Sequence, residues 1–444
     1  MNARSVALVA RGTALAFFFS LPFGTKKFLF SFPFSFSNVY IGEYTSAFLF
    51  GTDLLLIACV VLAFARYRAE LLALLVRFWQ PVLFVALAAL SLFLASYPAL
   101  GFYTLIRLAL VVLAAFALAA FLRGGALSLR AVAATLATSS ALQAVIGIGQ
   151  FIRGKSVGLT LLGEPVIAEA TKGVGHVVIG GGEFLRALGT MPHANILAGF
   201  LVLGLGCFCY LFLTRRPGDI RTFIVIVAGI IIVTVGLVVT FSRSGWITAL
   251  ILLVAALAAG MKRRETRARA LELLATLALI GVFLAFTLGW AILPRAGFAP
   301  GEGSVAHRYL YDLIGLDIIF HHPFGVGMGN QLLRTVDEGW YALRGLEHWW
   351  EWQPIHNLYL MVATEVGIPG LAAFLWFLGA LVLSTRSFRG EGNIEADLVA
   401  VLLGSLLIFG LFDHFLWDLQ AGRLLLWSVV GILMGIYRDK EKID

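Results

Sequence analysis

Four residues far apart in a chain of 444 have the types and settings to hold an anion and move a proton. Arg186 stands in RALGTMPHANILAGFL together with His193, Arg243 in TFSRSGWI, Arg308 at the head of HRYLYDLIGLDIIF, and His356 with Asn357 at the head of HNLYLMVATEVG. A guanidinium presents a planar fork of donors that fits a diphosphate, and the pairing strengthens where water is scarce. An imidazole takes a proton near neutral pH, which suits His356 to act as general base on an attacking hydroxyl, with Asn357 or Glu365 to orient it. Ser242 and Ser244 flank Arg243 as small donors.

Each group has a plainer reading. An interfacial arginine often snorkels to lipid headgroups. Arg243 answers this best, because its surroundings are apolar and an inward-facing charge there needs a partner; Arg107 is a weaker candidate of the same kind. His321, His322, His348 and His414 are rivals of His356 that spacing does not separate. Trp349, Trp350 and Trp352 fit either a platform for sugar rings or a membrane-interface belt. Neither HExxH nor a paired-acid spacing occurs in the loops, so no metal and no cofactor is expected, although Glu164, Glu169, Glu183, Asp312, Asp317 and Glu351 leave two acids free to meet in space.

The elements that must position these groups are membrane helices. The chain is 60% hydrophobic and 13% charged, with a mean hydropathy of +0.93, which excludes an ordinary water-soluble domain. Apolar runs that reach or approach the ~20 residues needed to cross a bilayer occur at 5–23, 45–64, 75–96, 103–122, 130–152, 194–213, 222–241, 245–261, 271–292, 368–385, 397–417 and 422–437. The expected fold is therefore all-α, a polytopic membrane protein of about twelve spans. The first run reads as a retained helix rather than a cleaved signal. Arg66, Arg68 and Arg77, then Arg123 and Arg130, Arg215, Arg216 and Arg221, the run from Lys262 to Arg269, Arg386 and Arg389, and Arg438, Lys440 and Lys442 fall in alternate loops. By the positive-inside rule those loops and both termini are cytoplasmic, with Lys26 and Lys27 dissenting. The formal charge of +8 is thus a matter of topology and membrane lipids rather than of nucleic acid. Cys59, Cys207 and Cys209 lie in apolar runs and make neither a metal site nor a disulfide framework.

This scheme divides the chain into N-terminal spans (1–152), a first outer loop (153–193), spans carrying the Arg243 hairpin (194–292), a large, partly helical outer cap between spans nine and ten (293–367), and C-terminal spans (368–444). All the candidate residues then fall on the outer side. The cytoplasmic loops are too short for a nucleotide-binding domain, and no P-loop is present.

Taken in order, RALGTMPHANILAGFL, FSRSGWI, HRYLYDLIGLDIIFHHPFGVGMGN and HNLYLMVATEVGIPGL resemble the O-antigen ligase and polymerase superfamily over residues 186–371. The resemblance implies a metal-independent transferase in the bacterial inner membrane, with a periplasmic active site and an undecaprenyl-diphosphate glycan as donor. It further implies that Arg186 and Arg243 grip the donor diphosphate, Arg308 assists from the cap, His356 activates a hydroxyl of the lipid A core, and Gly325, Gly327 and Gly329 shape the cap loop, with inversion at the anomeric carbon. Ligase, polymerase and protein O-oligosaccharyltransferase share these motifs. The large cap, and a chain ending soon after its last span, favour ligase. A transporter is the reading from another class. It would place ionisable groups near the bilayer midplane, where Asp53 is the chief example.

Overall fold

Capping residues set where the helices begin. Ser128 Oγ accepts from Ala131 N at 3.3 Å to start one helix, Asp219 Oδ1 accepts from Thr222 N at 3.0 Å to start another, and Asn393 Oδ1 takes the amides of Glu395 and Ala396. The computed structural model describes residues 3–34, 42–167, 175–297, 303–389 and 393–437; Glu169, Arg438, Lys440 and Lys442 lie outside the described residues.

In chain order the elements are α1 (Ala3–Ser20), β1 (Lys26–Ser31), β2 (Ser46–Phe50), α2 (Gly51–Arg66), α3 (Arg68–Arg77), α4 (Gln80–Ser91), α5 (Pro98–Arg123), α6 (Leu129–Arg153), β3 (His176–Ile179) and β4 (Gly182–Leu185). There follow α7 (Ala194–Leu213), α8 (Ile220–Val239), α9 (Arg243–Met261), α10 (Arg264–Ala296), α11 (Gly303–His321), α12 (Gln331–Asp337), α13 (Trp340–Leu343), α14 (Leu358–Arg389), α15 (Ile394–Phe409), α16 (Phe415–Asp418) and α17 (Gln420–Ile436). Helices dominate, and the all-α expectation is corrected only by two antiparallel hairpins, β1–β2 and β3–β4.

Among the described residues seven helices are long and apolar enough to cross a membrane: α5 to α10 and the Leu358–Ser384 part of α14. An eighth arises if α3 and Gln80–Leu94, bent by 73°, make one span. Three more of the expected twelve are helices of only 16 or 17 residues, namely α2, α15 and α17, and at ~1.5 Å per residue they cover less than a ~30 Å hydrocarbon layer. Two of these differ from the expected boundaries for a clear reason. Residues 46–50 of the second expected span are apolar but pair with β1, from Lys26↔Phe50 to Ser31↔Ser46. The span expected at 397–417 stops at Phe409, because the aromatic residues that follow keep hydropathy high through what is a turn.

α7 is buried along its whole length and forms the axis of the bundle, packed by α6, α8, α9 and α15, whereas α10 lies at the outside. Bonds from Arg186 to Thr240 O, Arg243 to Gly297 O and Leu358 N to Gly410 O show that α7, α9, α14 and α17 begin at the end of the bundle where α6, α8, α10 and α15 finish. A cap covers this end. Its small core of Tyr311, Ile314, Ile318, Val326, Tyr341 and Leu346 is separate from the main one.

α14 is broken at Gly367 (φ 82°, ψ 173°), just before Pro369, and the cap repairs the break. Val326 N bonds to Thr364 O at 2.8 Å, Gly327 N to Glu365 O at 3.1 Å, and Ile368 N to Pro323 O at 2.8 Å. A Cβ on Gly325 would lie 2.6 Å from Glu365 O, and one on Gly327 would lie 2.6 Å from the Ala95 Cβ. These glycines have φ of 90° and 98°, so they fit both the backbone conformation and the close approach.

Candidate active site

Several helix starts at the capped end are made by the candidate residues themselves. The Nδ1 of His193 accepts from Asn195 N at 3.2 Å to begin α7, and Ser242 Oγ accepts from Gly245 N at 3.2 Å to begin α9. Asn357 Oδ1 accepts from Tyr359 N and Leu360 N at 2.9 and 3.1 Å to begin α14. Helix N-termini carry partial positive charge and favour anions. The buried Phe241 precedes Ser242 with φ 51°, a conformation rare for an aromatic residue; it lets the chain reverse between α8 and α9 and leaves Arg243 at the helix tip.

The guanidiniums converge here from separate elements. Arg186 donates through Nε to Thr240 O and through Nη2 to Asn195 Oδ1, both at 2.8 Å. Asn195 in turn donates to Asp413 Oδ2 at 2.6 Å, and Arg308 Nη2 lies 3.9 Å from the same carboxylate oxygen. Arg243 donates to Gly297 O at 3.2 Å, while Arg295, near the end of α10, donates back to Phe241 O at 3.4 Å. Burial pushes the Arg186 guanidinium down to about 9, and Arg295, Arg308 and Arg243 push the same way against the pull of Asp413. An anion placed among these cations would relieve that repulsion.

His356 stands between the cap and the bundle. Its ring stacks on Tyr311 of α11, with centroids 5.4 Å apart, and meets His414 edge to face at 4.9 Å. Nδ1 lies 2.8 Å from Pro354 O. A carbonyl can only accept, so Nδ1 carries a hydrogen, and in the neutral ring Nε2 then holds the lone pair. Burial, followed by the positive charge of His414, holds His356 down to about 3. Burial alone would raise the Asp413 carboxyl, but His414, His356 and Arg308 together hold it below the ordinary carboxylate range.

The structure thus brings together Arg186, Arg243, Arg308, His193 and His356, and it revises several finer assignments. Asn357 caps α14 and Glu365 accepts from Trp417 Nε1 at 2.8 Å; it is Pro354 O that orients His356. Ser242 is 1% exposed and occupied with the start of α9. Gly325 and Gly327 have their Cα faces closed by protein, so they shape the cap and leave no room for substrate at those faces. Arg107 is held by Asp53 at 3.1 Å and by Gln420, which accounts for the buried charge of both. Among the acids, Glu164 takes the amides of Val157, Gly158 and Leu159, and Asp317 pairs with Arg344. Among the rival histidines, His322 pairs with Glu338, and His321 bonds to Asp317 O. Among the described residues no group of three or more His, Cys, Asp or Glu could hold a metal ion.

Arg295 and Asp413 are site residues that the sequence reading does not pick out. Asp413 and its neighbour His414 sit in an aromatic stretch that resembles the end of a span, and Arg295 lies on the last turn of a 33-residue helix.

Fold and site together describe a helical membrane protein whose capped end gathers Arg186, Arg243, Arg295 and Arg308 near His356. Residues 228–375, a third of the chain, match the model of the family Wzy_C, O-antigen ligase. The matched segment contains Arg243, Arg295, Arg308 and His356, while Arg186, His193, Asp413 and His414 come from outside it. That match supports, in general terms, a function of the O-antigen ligase or polymerase type, that of a glycosyltransferase-like enzyme in O-antigen processing. A search of curated proteins finds no match to the chain.

Proposed function

We propose that the protein is an O-antigen ligase, transferring a glycan from undecaprenyl diphosphate to the lipid A core. The observation that carries this reading is the convergence of Arg186, Arg243, Arg295 and Arg308, from four separate segments, near His356, whose Nδ1 faces the Pro354 carbonyl. The arginines hold the donor diphosphate. A core hydroxyl attacks the anomeric carbon on the face opposite the diphosphate; the new C–O bond forms as the bond to the diphosphate oxygen breaks, and that oxygen keeps the electron pair. The hydroxyl proton goes to His356 Nε2. Charge grows on the leaving oxygen, and each well-placed donor contributes about 10²–10³-fold to the rate through it. The anomeric centre inverts, and no step calls for a metal.

In this reading the chain crosses the bacterial inner membrane about twelve times, with α1, α2, α15 and α17 as short spans and the bent α3–α4 pair as one span beside the seven long ones. Both termini are cytoplasmic, and the cap and the gathered arginines are periplasmic. The bases that support the orientation are Arg215, Arg263 and Arg269, which meet Glu272, Asp397 and the Arg215 carbonyl at the end of the bundle away from the cap.

Disrupting the gene in its host tests the assignment directly on a gel of surface polysaccharide. Loss of long glycan from lipid A core, with lipid-linked chains accumulating, is the expected result. A single repeat left on the core would make the protein a polymerase, and unchanged lipopolysaccharide would exclude both.

A further inference from the structure

His414 is a titratable group that the proposed reaction leaves without a role. Its Nδ1 meets both oxygens of Asp418, at 2.7 and 2.9 Å. That carboxylate also accepts from the Tyr44 hydroxyl at 3.0 Å, and the His414 and Asp418 side chains are 9% and 8% exposed. An imidazole enclosed against a carboxylate is most stable as the imidazolium. Asp418 and Asp413 accordingly raise His414 above its ordinary value, although burial and Arg308 oppose them.

His356, whose ring centroid is 4.9 Å away, has the opposite setting. A carbonyl rather than a carboxylate meets its Nδ1. Arg308 and Tyr311 face it from α11, and Asp413 and His414 from the turn before α16. Two neighbouring groups driven to opposite protonation states divide their roles between them. The division matters once a donor is bound, because the negative diphosphate would raise the proton affinity of His356 and block it before an acceptor arrived.

We infer that His414, fixed by Asp418, is a permanent cation beside His356, a positioning residue that offsets the charge of the donor and keeps His356 free to take the acceptor's proton. The inference rests on the reading of His356 as the general base.

The test is the pH profile of glycan transfer at saturating donor for wild type, His414→Gln, His414→Arg and Asp418→Asn, with donor binding and thermal unfolding measured alongside. A base works while neutral, so its activity falls as pH drops through its pKa. Wild type holds its rate from pH 8 to below pH 5.5. His414→Gln leaves Asp418 unbalanced, and its acid limb moves up by about one to two pH units. His414→Arg restores a fixed cation and keeps the wild-type limb. Asp418→Asn removes the anion that fixes the proton on His414, lets the first proton be shared with His356, and moves the limb upward too; it decides the matter if His414→Gln does not fold.

A wild-type profile in His414→Gln, at whatever amplitude, would overturn the inference. So would loss of transfer at every pH with donor binding intact, or a limb in His414→Arg displaced as far as in His414→Gln. Transfer by His356→Ala at the wild-type rate would end the reading of His356 itself, whereas an inactive His356→Ala with an unmoved limb in His414→Gln ends this inference alone.

Discussion

Arg243 occupies the first turn of α9, bonded to the Gly297 carbonyl, with Arg186 within electrostatic reach. In the proposed reaction its value is the shape of its fork as much as its charge, since lysine offers a point charge that cannot bridge two phosphate oxygens. Arg243→Lys is therefore expected to lower transfer by about 10²-fold while leaving the unfolding temperature in place; wild-type transfer in that variant would reduce the role of Arg243 to charge alone. The same scale shows what could be read from the chain. Arg186, Arg243, Arg308 and His356 announce themselves because a polar group in an apolar setting needs a reason. Asp413 and Arg295 do not, because hydropathy averages them into the aromatic or apolar residues around them. Nor does spacing reveal that Asn357 and Ser242 serve helix starts, since an N-cap and a substrate contact draw on the same residue types.

At the scale of elements, the cap and the break in α14 are one device. The Gly325–Gly327 backbone satisfies the carbonyls that the Gly367 break releases, and the repaired helix starts two residues after His356. Gly327→Val would set a branched side chain at φ 98° against Ala95, where even a Cβ would lie 2.6 Å away. It is expected to destabilise the fold by roughly 1–3 kcal/mol from backbone strain alone and to reduce transfer with it. Thermal unfolding in detergent measures the first and a transfer assay the second; an unchanged midpoint would show that the cap does not depend on this contact. The long apolar helices α5 to α10 were legible, because an apolar run is a local property, whereas the 73° bend between α3 and α4 and the start of α14 at Leu358 were not. Helix ends were less legible at Gly51 and Phe409, where tertiary pairing with β1 and an aromatic turn decide the boundary.

For the whole molecule, orientation is the property on which the site's access to a lipid-linked donor depends. Cys59, Cys207 and Cys209 are buried, so a single new surface cysteine can be labelled above a low background. Leu161→Cys, at a position 89% exposed beside the capped end, is expected to react with a membrane-impermeant maleimide in spheroplasts, and Arg216→Cys, in the turn between α7 and α8, only after lysis. The reverse pattern would turn the gathered arginines toward the cytosol and end the proposed function. The helical, membrane-capable character of the molecule was readable from hydropathy. The buried Asp53–Arg107–Gln420 cluster was not, because it joins residues more than 300 positions apart and only the folded bundle brings them together.

The central claim is that the arginines bind the donor and His356 acts only in the chemical step. Binding of undecaprenyl diphosphate to purified wild type, Arg186→Ala, Arg243→Ala and His356→Ala, measured beside transfer by the same preparations, tests it most directly. The account predicts weakened binding and lost transfer in both arginine variants, and near-wild-type binding with transfer reduced by about 10²–10⁴-fold in His356→Ala. Undiminished binding in the arginine variants, or undiminished transfer in His356→Ala, would contradict it.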